Sequence, residues 1–92
     1  MNNLGKKTWK LIARVAGEQG IVHPLEFIAE EVVSVGPKTF RRRLNDGQWQ
    51  ASELQELQQW FTKSDPGAAL EFAHALNEEY QLFPATMLKD GR

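Results

Sequence analysis

Apolar residues recur at steps of three and four along most of the chain, and the interruptions fall on glycine, proline and small polar residues. Trp9, Ile12, Val15 and Ala16 stand at helical spacing with Gly17 and Gly20 bracketing the exit, which predicts a first helix over residues 4–17. Pro24 suits the first turn of a second helix, whose apolar face is Leu25, Ile28, Ala29 and Val32 and which ends near Val33. Ser34 to Pro37 reads as a turn, and Pro37 opens a third helix that runs to Asn45, where Asn45-Asp46-Gly47 tolerates the left-handed geometry of a stop. Ser52 caps a fourth helix carrying Leu54, Leu57, Trp60 and Phe61 and closing near Thr62. Ser64-Asp65-Pro66-Gly67 then starts a fifth, with Leu70, Ala73, Leu76, Tyr80 and Phe83 as its stripe. Pro84 ends it, and residues 84–92 are too poor in apolar side chains to pack, so a flexible tail is expected. No segment alternates with the period of a strand. The expected fold is all-α: one compact bundle of about five short helices over residues 1–83, containing a helix-turn-helix at about 25–45.

A chain of 92 residues supports one domain with one core, burying roughly 60–65% of its unfolded surface. The absence of cysteine removes disulfides, thiolate metal sites and a cysteine nucleophile. No apolar run approaches the roughly 20 residues that span a bilayer, and Lys6, Lys7 and Lys10 are not followed by a signal-peptide core. A soluble, cytoplasmic protein with no membrane partner is expected.

The net charge of −1 conceals a strong asymmetry. Residues 1–22 carry Lys6, Lys7, Lys10 and Arg14 against Glu18 alone, and residues 36–45 carry Lys38, Arg41, Arg42 and Arg43 against no acid. From residue 53 to 83 the balance reverses, with Glu53, Glu56, Asp65, Glu71, Glu78 and Glu79 against Lys63. Local basic patches, not the whole-chain sum, are the footprint of a phosphate-binding surface, and an acidic pole opposite them would orient the molecule on approach.

The third helix concentrates this charge. At about 100° per residue, Leu44 and Pro37 fall roughly 40° and 60° from Phe40, whereas Lys38, Arg42 and Thr39 fall near 160°, 200° and 260°. A helix anchored by Phe40 and Leu44 therefore turns Lys38, Thr39 and Arg42 outward, with Arg41 and Arg43 flanking the seam. Arginine binds guanine N7 and O6 bidentately in the major groove, while lysine and threonine reach phosphates or base edges. Gln48 and Gln50, in the following loop, are placed to reach phosphates.

At Ile28-Ala29-Glu30-Glu31, at Lys38-Thr39-Phe40-Arg41-Arg42-Arg43-Leu44-Asn45 and at Trp49-Gln50-Ala51-Ser52-Glu53-Leu54, the chain resembles the helix-turn-helix regulators of the lambda-repressor-like class, and particularly phage CII-type transcriptional regulators. The resemblance covers residues 25–60. It implies that Ala29 sits where the two helices cross, that Phe40 plugs the core, and that Lys38, Thr39, Arg41 and Arg42 contact DNA. Ala29 and Phe40 are one residue further apart than is usual in the class, which places an insertion in the turn through Ser34 and Gly36. Arg43 stands where the class usually has a bulkier, partly buried apolar side chain, so its stem is expected to pack while its head reaches Glu30, Glu31 or a phosphate.

Plainer roles suit the other candidates. Lys6, Lys7, Lys10 and Arg14 solubilise the outer face of a core helix, His23 precedes a helix start, and His74 lies at or near the surface. Trp9, Trp49 and Trp60 pack. There is no phosphate-cradling glycine loop, no paired-histidine metal motif and no nucleophile spaced to a base, so neither catalysis nor a cofactor is expected.

The expectation is a sequence-specific regulator that binds double-stranded DNA through Lys38, Thr39, Arg41, Arg42, Arg43, Gln48 and Gln50. It would act as a homodimer, with the helix over 66–83 as dimer contact through Leu70, Phe72, Leu76, Tyr80 and Phe83. The alternative is a small adaptor or inhibitor that binds a protein through its basic helix or its acidic C-terminal half.

Overall fold

The computed structural model describes residues 1–80. Within them the chain is an all-α bundle: α1 (Asn3–Glu18), α2 (Pro24–Phe27) continued by a π-helical stretch (Ile28–Val32), α3 (Pro37–Asp46), α4 (Ala51–Ser64) and α5 (Pro66–Tyr80). The expected tail and the last turn of the fifth helix, with Phe83, lie outside the described residues.

Each boundary has a local cause. The Asn2 side chain caps α1 by accepting from the Gly5 N–H at 2.7 Å. At the other end the Ile21 N–H returns to the Ala16 carbonyl (2.9 Å) and the Gly20 N–H to Gly17 (3.1 Å). Gly20 supplies the left-handed residue (φ 73°) that this helix stop requires. Pro24 and Pro37 occupy the first turns of α2 and α3, where no N–H is missed. Gly47, at φ 71°, closes α3 with its N–H on the Arg43 carbonyl. Asp65 opens α5 by accepting from the N–H groups of Gly67 and Ala68 at 3.0 and 3.3 Å. The cap of α4 differs from expectation: Gln50, not Ser52, is the N-cap residue, and its N–H donates to the Glu53 carboxylate at 2.8 Å. The carboxylate at the third helical position thus satisfies the N-cap N–H, while Ser52, two residues after Gln50, already lies within the first turn.

Between Ala29 and Phe40 the chain leaves regular α-helical geometry before the turn. The Val33 N–H bonds five residues back, to Ile28, at 2.9 Å, so the helix widens by one residue over Ile28–Val32. The turn itself then needs only Ser34 in the left-handed region, at φ 60°. Ile28 and Ala29 remain fully buried against the core.

The core joins Leu4, Ile12 and Val15 of α1, Phe40 and Leu44 of α3, Leu57 and Phe61 of α4, and Ala68 and Phe72 of α5. Phe61 stacks at a tilt on Phe72, with ring centres 5.1 Å apart. On α5 the inward stripe is not the expected one. Ala68, Ala69, Phe72, Ala75 and Leu76 face in, while Leu70 is 62% and Tyr80 38% exposed. Three alanines allow α5 to lie close to its neighbours, and Phe72 fills the one deep position; larger Leu70 and Tyr80 would hold the helix away. Phe72 and Leu76 are therefore core residues and offer no apolar surface to a second chain.

The N-terminal turn of α1 lies against the C-terminal turn of α3. A Cβ on Gly5 would fall onto the Leu44 carbonyl, whereas one on Gly17 would meet nothing within 4 Å. Alanine normally stabilises a helix interior over glycine by about 0.5–1 kcal/mol. Urea unfolding should show that gain for Gly17→Ala and the opposite for Gly5→Ala, a loss of about 3 kcal/mol from backbone that cannot move aside. Equal effects at the two positions would contradict this packing.

Candidate functional site

α3 is held from behind by four other parts of the chain. Phe40 and Leu44 are fully buried. Trp49 meets Phe40 edge-on, with ring centres 5.5 Å apart. The Arg43 Nε–H donates to Glu53 Oε1 of α4 at 3.0 Å, and only 14% of the Arg43 and 4% of the Glu53 side chain are exposed. At the C-terminal end the Asn2 N–H donates to the Asn45 carbonyl (3.2 Å), and the Tyr80 phenol donates to the Gly47 carbonyl (2.9 Å).

The front of the helix is free. Lys38, Arg41 and Arg42 are exposed and Thr39 is half-buried. Among the described residues none of the three cations has an acidic partner within ion-pair distance. The outer face of α3 therefore presents a lysine and two guanidinium groups on a backbone with little freedom to tilt. Such a face offers hydrogen-bond donors and positive charge together, which matches phosphate oxygens and the acceptor edge of guanine.

The seven residues singled out from the sequence separate into three places. Lys38, Thr39, Arg41 and Arg42 share the α3 helix outside its plug. Gln48 and Gln50 are exposed in the loop at the end of α3, with the Gln48 N–H on the Asp46 carboxylate at 2.9 Å. Arg43 turns inward, and its acidic partner is Glu53, not Glu30 or Glu31. Glu53 is the residue that sequence reasoning missed, since it was expected only as a favourable charge in the first turn of α4. It is 3% exposed and accepts from both Arg43 and the Gln50 backbone. Its position three residues after the N-cap was the available signal.

The other basic segment has two of its four cations paired within the fold. Lys7 pairs with Glu78 at 3.1 Å and Arg14 with Glu71 at 2.7 Å, so the charges of α1 and α5 meet instead of forming opposite poles. The hydrogen bond from Arg14 to Glu71, and then the Glu71 charge, raise the Arg14 pKa above its ordinary value. These exposed pairs contribute little to stability, but they leave α3 as a main concentration of uncompensated positive charge among the described residues. No helix among them is long and apolar enough to cross a membrane. Comparison with protein-family models, with curated proteins and with solved structures gives no match.

Two measurements test this division of labour. Arg43→Ala strands a buried carboxylate and should lower unfolding free energy by about 3 kcal/mol, whereas Arg41→Ala and Arg42→Ala should stay within about 0.5 kcal/mol of the parent. A small effect at Arg43 would place it with the surface cations. Burial, and then the Glu79 charge, raise the Tyr80 pKa above its ordinary value of 10.0. A raised folded-state pKa gives stability that is present below the unfolded value and lost as pH climbs through the folded one. Thermal melts should therefore fall above about pH 10 in the parent and fall less in Tyr80→Phe.

Proposed function

We propose that the chain is a sequence-specific DNA-binding transcriptional regulator, of the phage or prophage kind that its motifs resemble, acting in the cytoplasm without catalytic chemistry. The observation that carries this reading is the outer face of α3. Lys38, Arg41 and Arg42 stand there without an acidic partner among the described residues, on a helix fixed by the Phe40 plug, the Arg43–Glu53 pair and the Gly5 contact.

In this reading α3 enters the major groove. Arg42 and Lys38 lie one helical turn apart, a rise of about 6 Å, which places them over base pairs one or two steps apart given a rise of about 3.4 Å per pair. Arg41, a quarter turn to the side, reaches the phosphate backbone together with Gln48 and Gln50 at the end of the helix. Arg43 acts by holding α3 against α4, and its contribution to binding is orientation. The competing reading is an adaptor or inhibitor that binds a protein through this basic helix or through its acidic C-terminal half, where Glu71 and Glu78 are already engaged with α1.

Selection from random duplexes, followed by fluorescence anisotropy on the enriched sequence, is the decisive experiment. Affinity should fall with salt by about 0.9 log units per log unit for each phosphate neutralised. Arg42→Ala should cost about 1–3 kcal/mol of discrimination at one base pair while leaving the melt unchanged. Arg41→Ala should instead weaken all sequences alike and reduce the salt slope by about one. If no duplex is retained above nonspecific levels, the regulator reading falls and the protein-partner reading takes its place.

A further inference from the structure

α1 and α5 run antiparallel, since Lys7 meets Glu78 at 3.1 Å towards one end and Arg14 meets Glu71 at 2.7 Å towards the other. Lys7, Lys10 and Arg14 stand at i, i+3 and i+7 on α1, and Glu71, His74 and Glu78 repeat that spacing on α5. Each set shares one face of its helix, and the two faces meet as a ladder of three rungs. The outer rungs are the two ion pairs, about 10 Å apart along the helix axes. Lys10 and His74 make the middle rung, level with each other to within about 2 Å at a rise of about 1.5 Å per residue. It is the one rung without a carboxylate.

All six side chains line a single open groove of about 510 Å³, with Leu11 and Ala75 in its floor. Neither the Lys10 nor the His74 side chain has a hydrogen-bond or ion-pair partner among the described residues. Three cations against two carboxylates already paired leave one positive charge in the groove, and it stands at the middle rung. Lys7 and Arg14 each spend one donor on their pairs, while an ammonium offers three and a guanidinium five.

We propose that the middle of this groove binds the carboxylate of a small apolar acid, held between Lys10 and His74. A monoanion balances the surplus charge, whereas a more highly charged anion would be repelled by Glu71 and Glu78. Lys10 donates from its ammonium and His74 from a ring N–H, both to the same carboxylate. The apolar body of the acid rests on Leu11, Ala75 and the aliphatic stems of Lys7, Lys10 and Arg14. The groove volume lies within the range of small-molecule sites, about 300–1,000 Å³. α3 contributes nothing to the groove, so the inference stands apart from the DNA-binding reading.

Benzoate is a suitable probe, followed by NMR on the full chain. Saturable shifts should appear at Lys10, Leu11, His74 and Ala75, with a dissociation constant of about 1 mM or below. Benzamide, alike in shape but uncharged, should bind about tenfold or more weakly. Lys10→Ala should weaken benzoate about tenfold. Lys6→Ala removes the same charge from an exposed position outside the groove and should change binding less than about twofold. Lys10 and His74 are exposed, so their variants should melt as the parent does.

Benzoate keeps its charge between about pH 8 and pH 6, where histidine side chains take up a proton. Binding should therefore tighten several-fold on acidification in the parent and not in His74→Gln. The other charged groups facing His74 are Lys7, Lys10 and Arg14 across the groove and Glu71 and Glu78 on its own helix, types that ordinarily hold one charge state over that interval. Shifts that do not saturate or that fall elsewhere overturn the proposal. So do equal binding of benzamide, equal effects of Lys6→Ala and Lys10→Ala, or a pH response that survives His74→Gln. A short duplex that displaces benzoate overturns the small-molecule source and assigns the groove to backbone phosphate.

Discussion

One carboxylate ties the candidate site to the rest of the molecule. Glu53 receives the Arg43 guanidinium from α3 and the Gln50 N–H from the loop that leads into α4. A buried charge is tolerable only when paired and hydrogen-bonded, and here both conditions are met by groups that also define the orientation of two helices. If Arg43 is withdrawn, the Glu53 charge loses its partner. If Glu53 is withdrawn, the first turn of α4 and the last turn of α3 lose their common acceptor. The three exposed cations of α3 depend on this pair for their direction, although none of them touches it.

Much of this was legible in the residue pattern because it follows from local rules. Phe40 and Leu44 share one side of a helix by spacing alone, and Gly20, Gly47, Pro24 and Pro37 mark ends and starts by backbone chemistry. What was not legible depends on contacts between elements. Arg43 lies about 60° from Phe40 on the helix wheel, so partial burial could be read, but its partner ten residues on could not. On α5 two stripes interleave, one through Leu70 and Tyr80 and one through Ala68, Phe72 and Leu76, and both satisfy helical spacing. Only the closeness of the neighbouring helices favours the alanines. The widened helical turn at Ile28–Val32 was not visible in the spacing.

The charge distribution shows the same division. Summed along the sequence, the two ends of the chain look like opposed poles; folded, α1 and α5 lie side by side, and Lys7 and Arg14 meet Glu78 and Glu71. Cancellation is not uniform across the surface, since Lys10, between those pairs, has no acidic partner within ion-pair distance among the described residues. On α3, Arg43 is paired with Glu53, and among the described residues Lys38, Arg41 and Arg42 have no acidic partner within ion-pair distance. An electrostatic argument from segments of sequence therefore holds only where the fold does not bring the segments together.

The contacts of Asn2 and Tyr80 with Asn45 and Gly47 give the molecule an unusual closure. Positions near residue 2 and at residue 80 both converge on the middle of the sequence, so the seat of α3 is completed only after two long loops have closed. Loop closure of that span is entropically costly and late compared with helix formation. A nascent or partly frayed chain can thus carry an intact α3 helix and still lack a directed surface. Loss of either contact would loosen the C-terminal end of α3 while leaving most of the helical content in place, so helicity alone does not report whether that helix is seated.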